Sequence, residues 1–247
     1  TIVLNKYFND SLLKSLALIW HTKKFINILK HQKLKIFTIT DFHKQFLLNL
    51  GVDKKKINLY CNPIEIEKVR DIESKNDSEY IVYAGRLSKE KGVEELIASW
   101  REAGYSDLKL KIIGTGPLER KLINNYSDSN IVFTGYLDNE TVLKEIKNSR
   151  AVVTATKMFE GQPRLLCEAS SFGIPSIYPS FGGMDEFFPN DYIFSFKQYD
   201  YKDLTEKLKE INDNEKIKFQ GSSVYRFISQ KLNESKLIKD FEEATKE

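Results

Sequence analysis

Residues 79–116 read EYIVYAGRLSKEKGVEELIASWREAGYSDLKLKIIGTG, and the rhythm of this stretch decides the fold. An apolar run, EYIVYAG, closes on a glycine. Val93, Leu96, Ile97 and Trp100 then fall three and four apart, the spacing of one buried helical stripe. A second apolar run, LKLKIIG, closes on Gly114 and Gly116, after which Pro117 is expected to open a helix with Leu118, Leu122 and Ile123 on its apolar side. The pattern continues downstream through NIVFTG, AVVTAT, IPSIYP and YIFSF, each followed by a helical pattern or a glycine turn. Near-continuous apolar strands alternating with amphipathic helices are strands covered on both faces. The expected fold is therefore α/β, a doubly wound, Rossmann-like parallel sheet, over residues 79–230.

Outward from this core the chain is less regular. Residues 10–30 are dense enough in apolar side chains for one long helix or two short ones. LKIFTIT reads as a strand, Thr40 or Asp41 as the cap of a helix DFHKQFLLNL ended by Gly51, and INLYCNPI as a further strand. This strand, helix, strand unit has no domain's worth of core around it, so residues 1–64 read as the tail of a first domain, a partial N-terminal domain. Residues 65–78, EIEKVRDIESKNDS, are charged and poor in large apolar groups, which marks a connector. At the other end, residues 231–247 offer Leu232, Leu237, Ile238 and Phe241 to a closing helix.

Composition narrows the function. Of 247 residues 41% are hydrophobic, and 38 basic against 35 acidic residues leave a net charge of +3. That is ample for a packed core and too little field to argue for nucleic acid. Cys61 and Cys167 form no CxxC or Cys/His cluster, so reduced thiols in a cytosolic setting are expected and no metal site is indicated. No apolar run approaches the about 20 residues needed to span a bilayer, and the basic helices of residues 14–35 can face lipid, as peripheral membrane contact, a partner domain or only water. With no initiating Met and no signal-peptide pattern, the chain reads as part of something longer.

Parallel sheets of this kind bind ligands outside the carboxyl ends of their strands, and every candidate site residue falls at such an end. In AGRLSKEKG (84–92) Gly85 opens a loop carrying Arg86 and Lys91, a guanidinium fork and an ammonium able to neutralise a diphosphate; Lys89 is a stand-in for Lys91, and two solvated surface charges are the plainer alternative. In IIGTGPL (112–118) the Gly114/Gly116 pair is a weak signal, favoured as a turn that lets backbone approach a ligand. In VFTGYL (132–137) Gly135 and Tyr136 can meet a base, against the alternative of a buried aromatic. The richest stretch is FEGQPRLLCEASSFGIP (159–175). Glu160, Gly161 and Gln162 read as loop, and Pro163 to about Phe172 as a helix whose first turn offers unpaired N–H groups to a phosphate. Glu160 and Glu168 repel phosphate and suit the hydroxyls on either side of it, which makes the ligand a nucleotide sugar. The alternatives are a helix-surface salt bridge or a glycosidase-type acid and nucleophile pair, the latter leaving Arg86 and Lys91 without a role. In SFGGMDEFF (180–188) Gly182 and Gly183 can pass close to the sugar, with Asp185 and Glu186 as helix-start charges.

GRLSKEKG, IIGTGPL, NIVFTGYL and above all EGQPRLLCEASSFGIP, in this order and at these separations, resemble the carboxy-terminal, donor-binding half of the family 4 glycosyltransferases, which have the GT-B fold. The resemblance covers roughly residues 79–200. It extends more weakly to TITDFHKQFLLNLGVDKKKINLYCNPIE, where Thr40 and Asp41 stand in place of a frequent Val-Ser. It implies that Arg86 and Lys91 hold the diphosphate, that Glu168 binds the ribose, that Glu160 contacts the donor sugar, and that the N–H groups of Arg164, Leu165 and Leu166 meet phosphate or sugar. Arg86, Lys91 and Glu160 are then the catalytic set. The reaction implied is transfer, with retention and without metal or cofactor, from a UDP- or GDP-type nucleotide sugar to a saccharide or lipid-linked saccharide acceptor, in cytoplasmic surface-polysaccharide biosynthesis. The family's acceptor binds mainly to the first domain, onto which the closing helix crosses, so a missing domain or a partner chain is implied as well. A non-catalytic nucleotide-sugar-binding subunit of a split enzyme, or another GT-B enzyme such as an epimerase, are the alternatives.

Overall fold

The computed structural model describes residues 12–66 and 78–246; most of the expected connector, 67–77, lies outside the described residues. The chain forms two compact units, one holding the described residues up to Tyr60 together with Lys239 onward, the other Cys61–Ile238.

The first unit is small. Helix α1 (Leu12–His31) is one helix, not two, and precedes β1 (Ile36–Thr38), α2 (Asp41–Asn49) and β2 (Ile57–Leu59). Thr40 is the N-cap of α2, its hydroxyl accepting the His43 N–H at 3.2 Å. The two strands pair in parallel, Ile36 beside Ile57. They are three residues each, much shorter than the apolar runs that signalled them. Leu29, Val52 and Ile57 form the buried cluster, with Leu34, Ile36, Leu47 and Leu48 around it. Phe37, Tyr60 and Phe241 gather with ring centroids 5.3–6.2 Å apart.

The second unit is a six-stranded parallel sheet. Its elements are β3 (Tyr80–Ala84), α3 (Val93–Ala103), β4 (Lys109–Ile113), α4 (Glu119–Tyr126), β5 (Ile131–Gly135), α5 (Asn139–Lys147), β6 (Val152–Val153), α6 (Arg164–Ser171), β7 (Ser176–Ser180), β8 (Ser195–Lys197), α7 (Tyr201–Glu210) and α8 (Asn214–Lys231). Helix α9 (Glu234–Thr245) follows, with Leu237 buried and Ile238 and Phe241 exposed. The strand order β5-β4-β3-β6-β7-β8 is the doubly wound order in which the sheet grows one way from its first strand and then the other, which opens a crevice between β3 and β6. Consecutive residues Ile81, Val82 and Tyr83 are all buried. Side chains of neighbouring strand residues point to opposite faces, so both faces of the sheet are covered, as the uninterrupted apolar runs require.

The α3 stripe is where the spacing put it: Val93, Leu96, Ile97 and Trp100 are all buried. The next helix differs. Pro117 lies in a turn and α4 begins at Glu119. Leu122 is buried while Ile123 is exposed: adjacent helical residues stand about 100° apart, and the buried stripe of α4 is narrower than the three apolar side chains suggested. The run AVVTAT yields only the two-residue β6, and YIFSF yields β8 displaced to Ser195–Lys197. Among the described residues no helix is long and apolar enough to cross a membrane.

Leu96→Ala should lower the unfolding free energy by about 2–5 kcal/mol. Ile123→Ala should change it by less than about 0.5 kcal/mol. Urea midpoints at constant m-value check both; a large loss at Ile123 would contradict its exposed position on α4.

Candidate functional site

Backbone hydrogen bonds continue past the ends of the strands and lace the loops together. Gly85 N–H donates to the Ile113 carbonyl at 3.0 Å, Leu87 N–H to Thr115 at 2.9 Å, and Gly114 N–H to Gly135 at 2.8 Å. The glycines of IIGTGPL exist for this lacing. Gly114 sits at φ +129, and a Cβ on it would lie 2.1 Å from the Gly85 oxygen; one on Gly116 would lie 2.4 Å from the Leu87 oxygen. No side chain fits at either distance, so the close approach is first of all to the chain's own neighbouring loop.

On that platform the basic residues separate. Arg86 is exposed, and its carbonyl accepts the Tyr83 hydroxyl at 3.0 Å. Burial, followed by the nearby charges of Glu90 and Glu160, pushes the Tyr83 phenol well above its ordinary range, so Tyr83 stays a neutral donor beneath the loop. Lys89–Lys91 form one turn of 3-10 helix. Lys89 is exposed, whereas Lys91 turns inward and its Nζ meets Glu160 Oε1 at 2.6 Å. This separates Lys91 from its stand-in. Glu90 carries the opposite charge close by. A hydrogen bond from Ser88, at 2.6 Å, is the main cause holding its carboxyl below the usual range, and Arg86 and Lys91 add to it.

Glu160 belongs to the loop between β6 and α6. Its Oε1 accepts from both the Lys91 ammonium, at 2.6 Å, and the Thr156 hydroxyl, at 3.2 Å. Two places further on, the Gln162 side chain accepts the Asn62 N–H at 2.7 Å and donates to the Asn62 carbonyl at 2.8 Å. This two-point tether fixes the loop to a segment one hundred positions away. Pro163 occupies the N-cap position with ψ 80, so the first helical residue is Arg164, one later than the sequence suggests. Cys167 N–H bonds back to the Pro163 carbonyl at 3.0 Å, which leaves the N–H groups of Arg164, Leu165 and Leu166 without an intrahelical partner. One turn on, Glu168 is 9% exposed. Its Oε1 accepts from Arg164 Nε at 2.8 Å. The salt bridge that competed with a ligand role is present, yet its carboxylate end is buried rather than on the helix surface.

Two adjoining cavities collect these groups. One, about 290 Å³, is lined by Gly85, Lys91, Thr156, Glu160, Gln162 and the Arg164–Leu166 turn among others. The second, about 610 Å³, is lined by Gly85, Arg86, Gly114, Gly116, Tyr136, Val142 and Leu165 among others. Ala84, Gly85 and Leu165 belong to both. Tyr136, for which a buried ring was the competing expectation, is 76% exposed and borders the larger cavity. Gly161 and Glu168 line neither. Thr156, Gln162, Tyr83 and Val142 were not singled out from sequence. Gln162 stands inside the quoted motif, but nothing local signals a partner at Asn62. Two further cavities, of about 370 and 340 Å³, open beside Tyr105 at the opposite edge of the sheet and contain none of the expected residues. Among the described residues no cluster of three or more His, Cys, Asp or Glu is placed to hold a metal ion.

Comparison with known proteins bears on this geometry. The profile of the family described as "Glycosyl transferases group 1" matches residues 65–222. An uncharacterized glycosyltransferase of Methanocaldococcus jannaschii is 29% identical over 222 residues, covering 83% of this chain and 56% of the relative. The capsular polysaccharide biosynthesis glycosyltransferase CapM of Staphylococcus aureus is 26% identical over 222 residues, 79% of this chain and 58% of CapM. The lipopolysaccharide 1,6-galactosyltransferase of Escherichia coli K12 is 31% identical over 167 residues, 60% of this chain and 46% of the relative. The chain thus spans about half the length of the curated relatives it matches. Among solved structures, a mutant of S. aureus TarM in complex with fondaparinux, alpha-GlcNAc-glycerol and UDP superposes with TM-score 0.77 at 18% identity, over 90% of this chain and 46% of TarM. Anabaena HepE in complex with UDP and glucose gives 0.76 at 14% identity, over 90% of this chain and 65% of HepE. These likenesses show the shared fold.

Replacing Gln162 with Met removes both hydrogen bonds of the tether at nearly constant volume. Amide exchange at Asn62 should quicken by about five- to ten-fold, the equivalent of a hydrogen bond of roughly 1 kcal/mol. Unchanged exchange by NMR would mean that the tether does not order this segment.

Proposed function

The chain belongs to the group 1 glycosyl transferases, and from that membership we propose that it forms the donor side of a glycosyltransferase moving a sugar from a nucleoside diphosphate sugar to an acceptor hydroxyl. The observation that carries this reading is the pair of adjoining cavities at the carboxyl edge of the sheet, with Arg86 at one, Lys91, Glu160 and the first turn of α6 at the other, and Gly85 between. The diphosphate spans the junction, the base lies toward Tyr136, and the sugar lies toward Glu160. Charge building on the departing diphosphate is met by the Arg86 fork, the Lys91 ammonium and the N–H groups of Arg164–Leu166. These supply positive charge from the chain itself, so the reaction is read as needing no metal or cofactor. Glu168 is assigned to the ribose and Glu160 to the donor sugar, with retention at the transferred carbon, as in the family 4 enzymes the motifs resemble.

The Lys91–Glu160 pair suits a site that must exchange partners. Its side chains are 30% and 29% exposed, and a pair so open to water contributes no more than about 1 kcal/mol. An arriving diphosphate can therefore draw Lys91 away at small cost and release Glu160 to the sugar hydroxyls.

Capsular and lipopolysaccharide relatives support surface-polysaccharide assembly as the setting, with a saccharide or lipid-linked saccharide as acceptor. The organisation proposed is a first-domain portion to residue 64, a connector over 65–78, the donor domain over 79–230 and a closing helix over 231–247. The acceptor side is completed by a first domain, in the same polypeptide or in a partner chain. A cytoplasmic location at a membrane surface is supported by α1: Trp20 and Phe25 are exposed, and residues 11–40 carry lysines but no acidic residue, a composition suited to anionic lipid.

A specific observation keeps a second reading in view. Because the chain spans about half of its curated relatives, it can bind nucleotide sugar without turning it over alone, as one subunit of a split enzyme. Donor hydrolysis by the isolated chain separates the two readings.

Calorimetric titration with UDP, GDP and ADP should give binding to one of the three and so identify the base. Absence of binding to all of them would overturn the donor-side reading. Arg86→Ala and Lys91→Ala should each lower turnover by about 10²–10³ with an unchanged unfolding midpoint. Glu160→Gln should weaken nucleotide-sugar binding more than nucleotide binding, and equal losses would refute the assignment of Glu160 to the sugar.

A further inference from the structure

Beyond Glu160 the same edge of the sheet carries an aromatic ledge that the donor-side reading leaves unused. Phe159, the residue before Glu160, is 62% exposed. Its ring stacks on Phe181 with centroids 4.3 Å apart and planes inclined by 26°. Gly182, at φ +69, lies against the pair: a Cβ placed on it would stand 3.3 Å from Phe159 Cδ1 and 3.5 Å from the Glu160 backbone carbonyl oxygen. Tyr199, just past β8, is 58% exposed and holds φ 65, the one left-handed non-glycine among the described residues. Such a backbone costs about 1–2 kcal/mol. It is held there by fastenings onto the loop that leads to Phe159: the Tyr199 hydroxyl donates to the Lys157 carbonyl and the Gln198 amide to the Thr156 carbonyl, each at 3.4 Å. Asp185 is exposed and accepts at 2.8 Å from Ser180, the residue before Phe181, which gives the ledge a polar rim.

The position of the ledge along the sheet indicates its occupant. In strand order, the loops after β5, β4 and β3 carry Tyr136, Gly114 and Arg86, and the loop after β6 carries Glu160. The loops after β7 and β8 carry Phe181 and Tyr199. Neighbouring strands lie about 4.8 Å apart, so the last two loops extend the rim by about 10 Å, the space of one further sugar ring. Neither Phe159 nor Phe181 lines the cavity assigned to the donor sugar. Rigid, water-exposed ring faces present the negative side of the aromatic quadrupole, which suits the positively polarised C–H face of a pyranose, while the carboxylate of Asp185 suits its hydroxyls. An exposed apolar patch continuous with a polar site marks a binding surface.

We infer that Phe159 and Phe181 form a stacking subsite for a pyranose ring of the acceptor saccharide, bordered by Tyr199 and Asp185. The inference rests on the donor-side reading for which sugar is donor and which is acceptor, but not for the ledge itself. The subsite lies in the second unit, so it adds an acceptor contact outside the domain on which the family resemblance places acceptor binding.

Saturation-transfer NMR on the full chain tests it, irradiating aromatic protons in the presence of methyl α-D-glucopyranoside, methyl β-D-galactopyranoside and methyl N-acetyl-α-D-glucosaminide, with and without UDP. Ring protons of at least one glycoside should receive saturation. Phe159→Leu and Phe181→Leu should each reduce it by up to about ten-fold, Phe159→Tyr should restore it, and UDP affinity should stay within about two-fold of the parent. Transfer that is undiminished in both Leu variants, or absent for all three glycosides in the parent chain, overturns the subsite. A Phe159→Leu loss in UDP-glucose affinity relative to UDP would assign the rings to the donor sugar and overturn the acceptor role. Glycoside transfer that depends on Phe159 in a chain that binds no nucleotide would uphold the ledge while the donor-side reading fell.

Discussion

Parallel strands buried on both faces leave one place for chemistry, the edge at which they end. Ile81, Val82 and Tyr83 face alternately up and down and are all buried, so a charged side chain anywhere along β3 would lose its hydration without a partner. The charged groups therefore wait until the strand has finished, and Arg86 is two residues past Ala84. What prevents those loops from behaving as loose connections is the continuation of the ladder beyond the sheet. Gly85, Gly114 and Leu87 donate to Ile113, Gly135 and Thr115 in turn, so three neighbouring strand ends are tied to one another. The crevice between β3 and β6 is thereby walled by backbone whose hydrogen bonds are already made.

How much of this was legible in the sequence depended on whether the cause was local. The α3 stripe was legible because burial there follows helical periodicity alone. The start of α4 was not: Pro117 suits a first helical turn, but the Gly116–Leu118 segment is already committed to the neighbouring loop, with Leu118 N–H bonded to the Leu87 carbonyl at 3.0 Å. The apolar runs INLYCNPI and AVVTAT outlast their short strands, and single backbone bonds carry the pairing one step further, from Tyr60 N–H to the Thr38 carbonyl at 2.8 Å and from Thr154 N–H to the Ile177 carbonyl at 2.9 Å.

Site residues divided along the same line. Arg86, Lys91 and Glu160 could be placed at strand ends because parallel topology sends every carboxyl end to one edge. The choice of Lys91 over Lys89 needed the 3-10 turn, since the two lysines are interchangeable in sequence and differ only in the side of the turn they occupy. The exposure of Tyr136 was likewise unreadable, since an aromatic at a strand end is more often part of the core. Gln162 could not be read at all, its partner Asn62 being brought to it only by the completed fold.

The two glutamates that mark the site are held in different ways, and the difference matches the roles proposed for them. Glu168 is nearly buried, and its counter-charge, Arg164, sits one turn away on the same helix. Its place is set by burial on α6, since the Arg164 end of the pair is exposed and such a pair holds little by itself. One oxygen accepts from Arg164, and since a carboxylate has about four acceptor positions, capacity remains for a pair of ribose hydroxyls without breaking that bond. Glu160 is half-exposed, lies in a loop, and takes its counter-charge from a different strand end. Its partner is the very lysine proposed for the diphosphate, so binding must rearrange it. On the roles proposed, a buried clamp at the nucleoside and an exchangeable one at the sugar would let the sugar end sense whether the diphosphate is present. On that proposal the reactive geometry is assembled only when the whole donor is bound, which would limit wasteful hydrolysis.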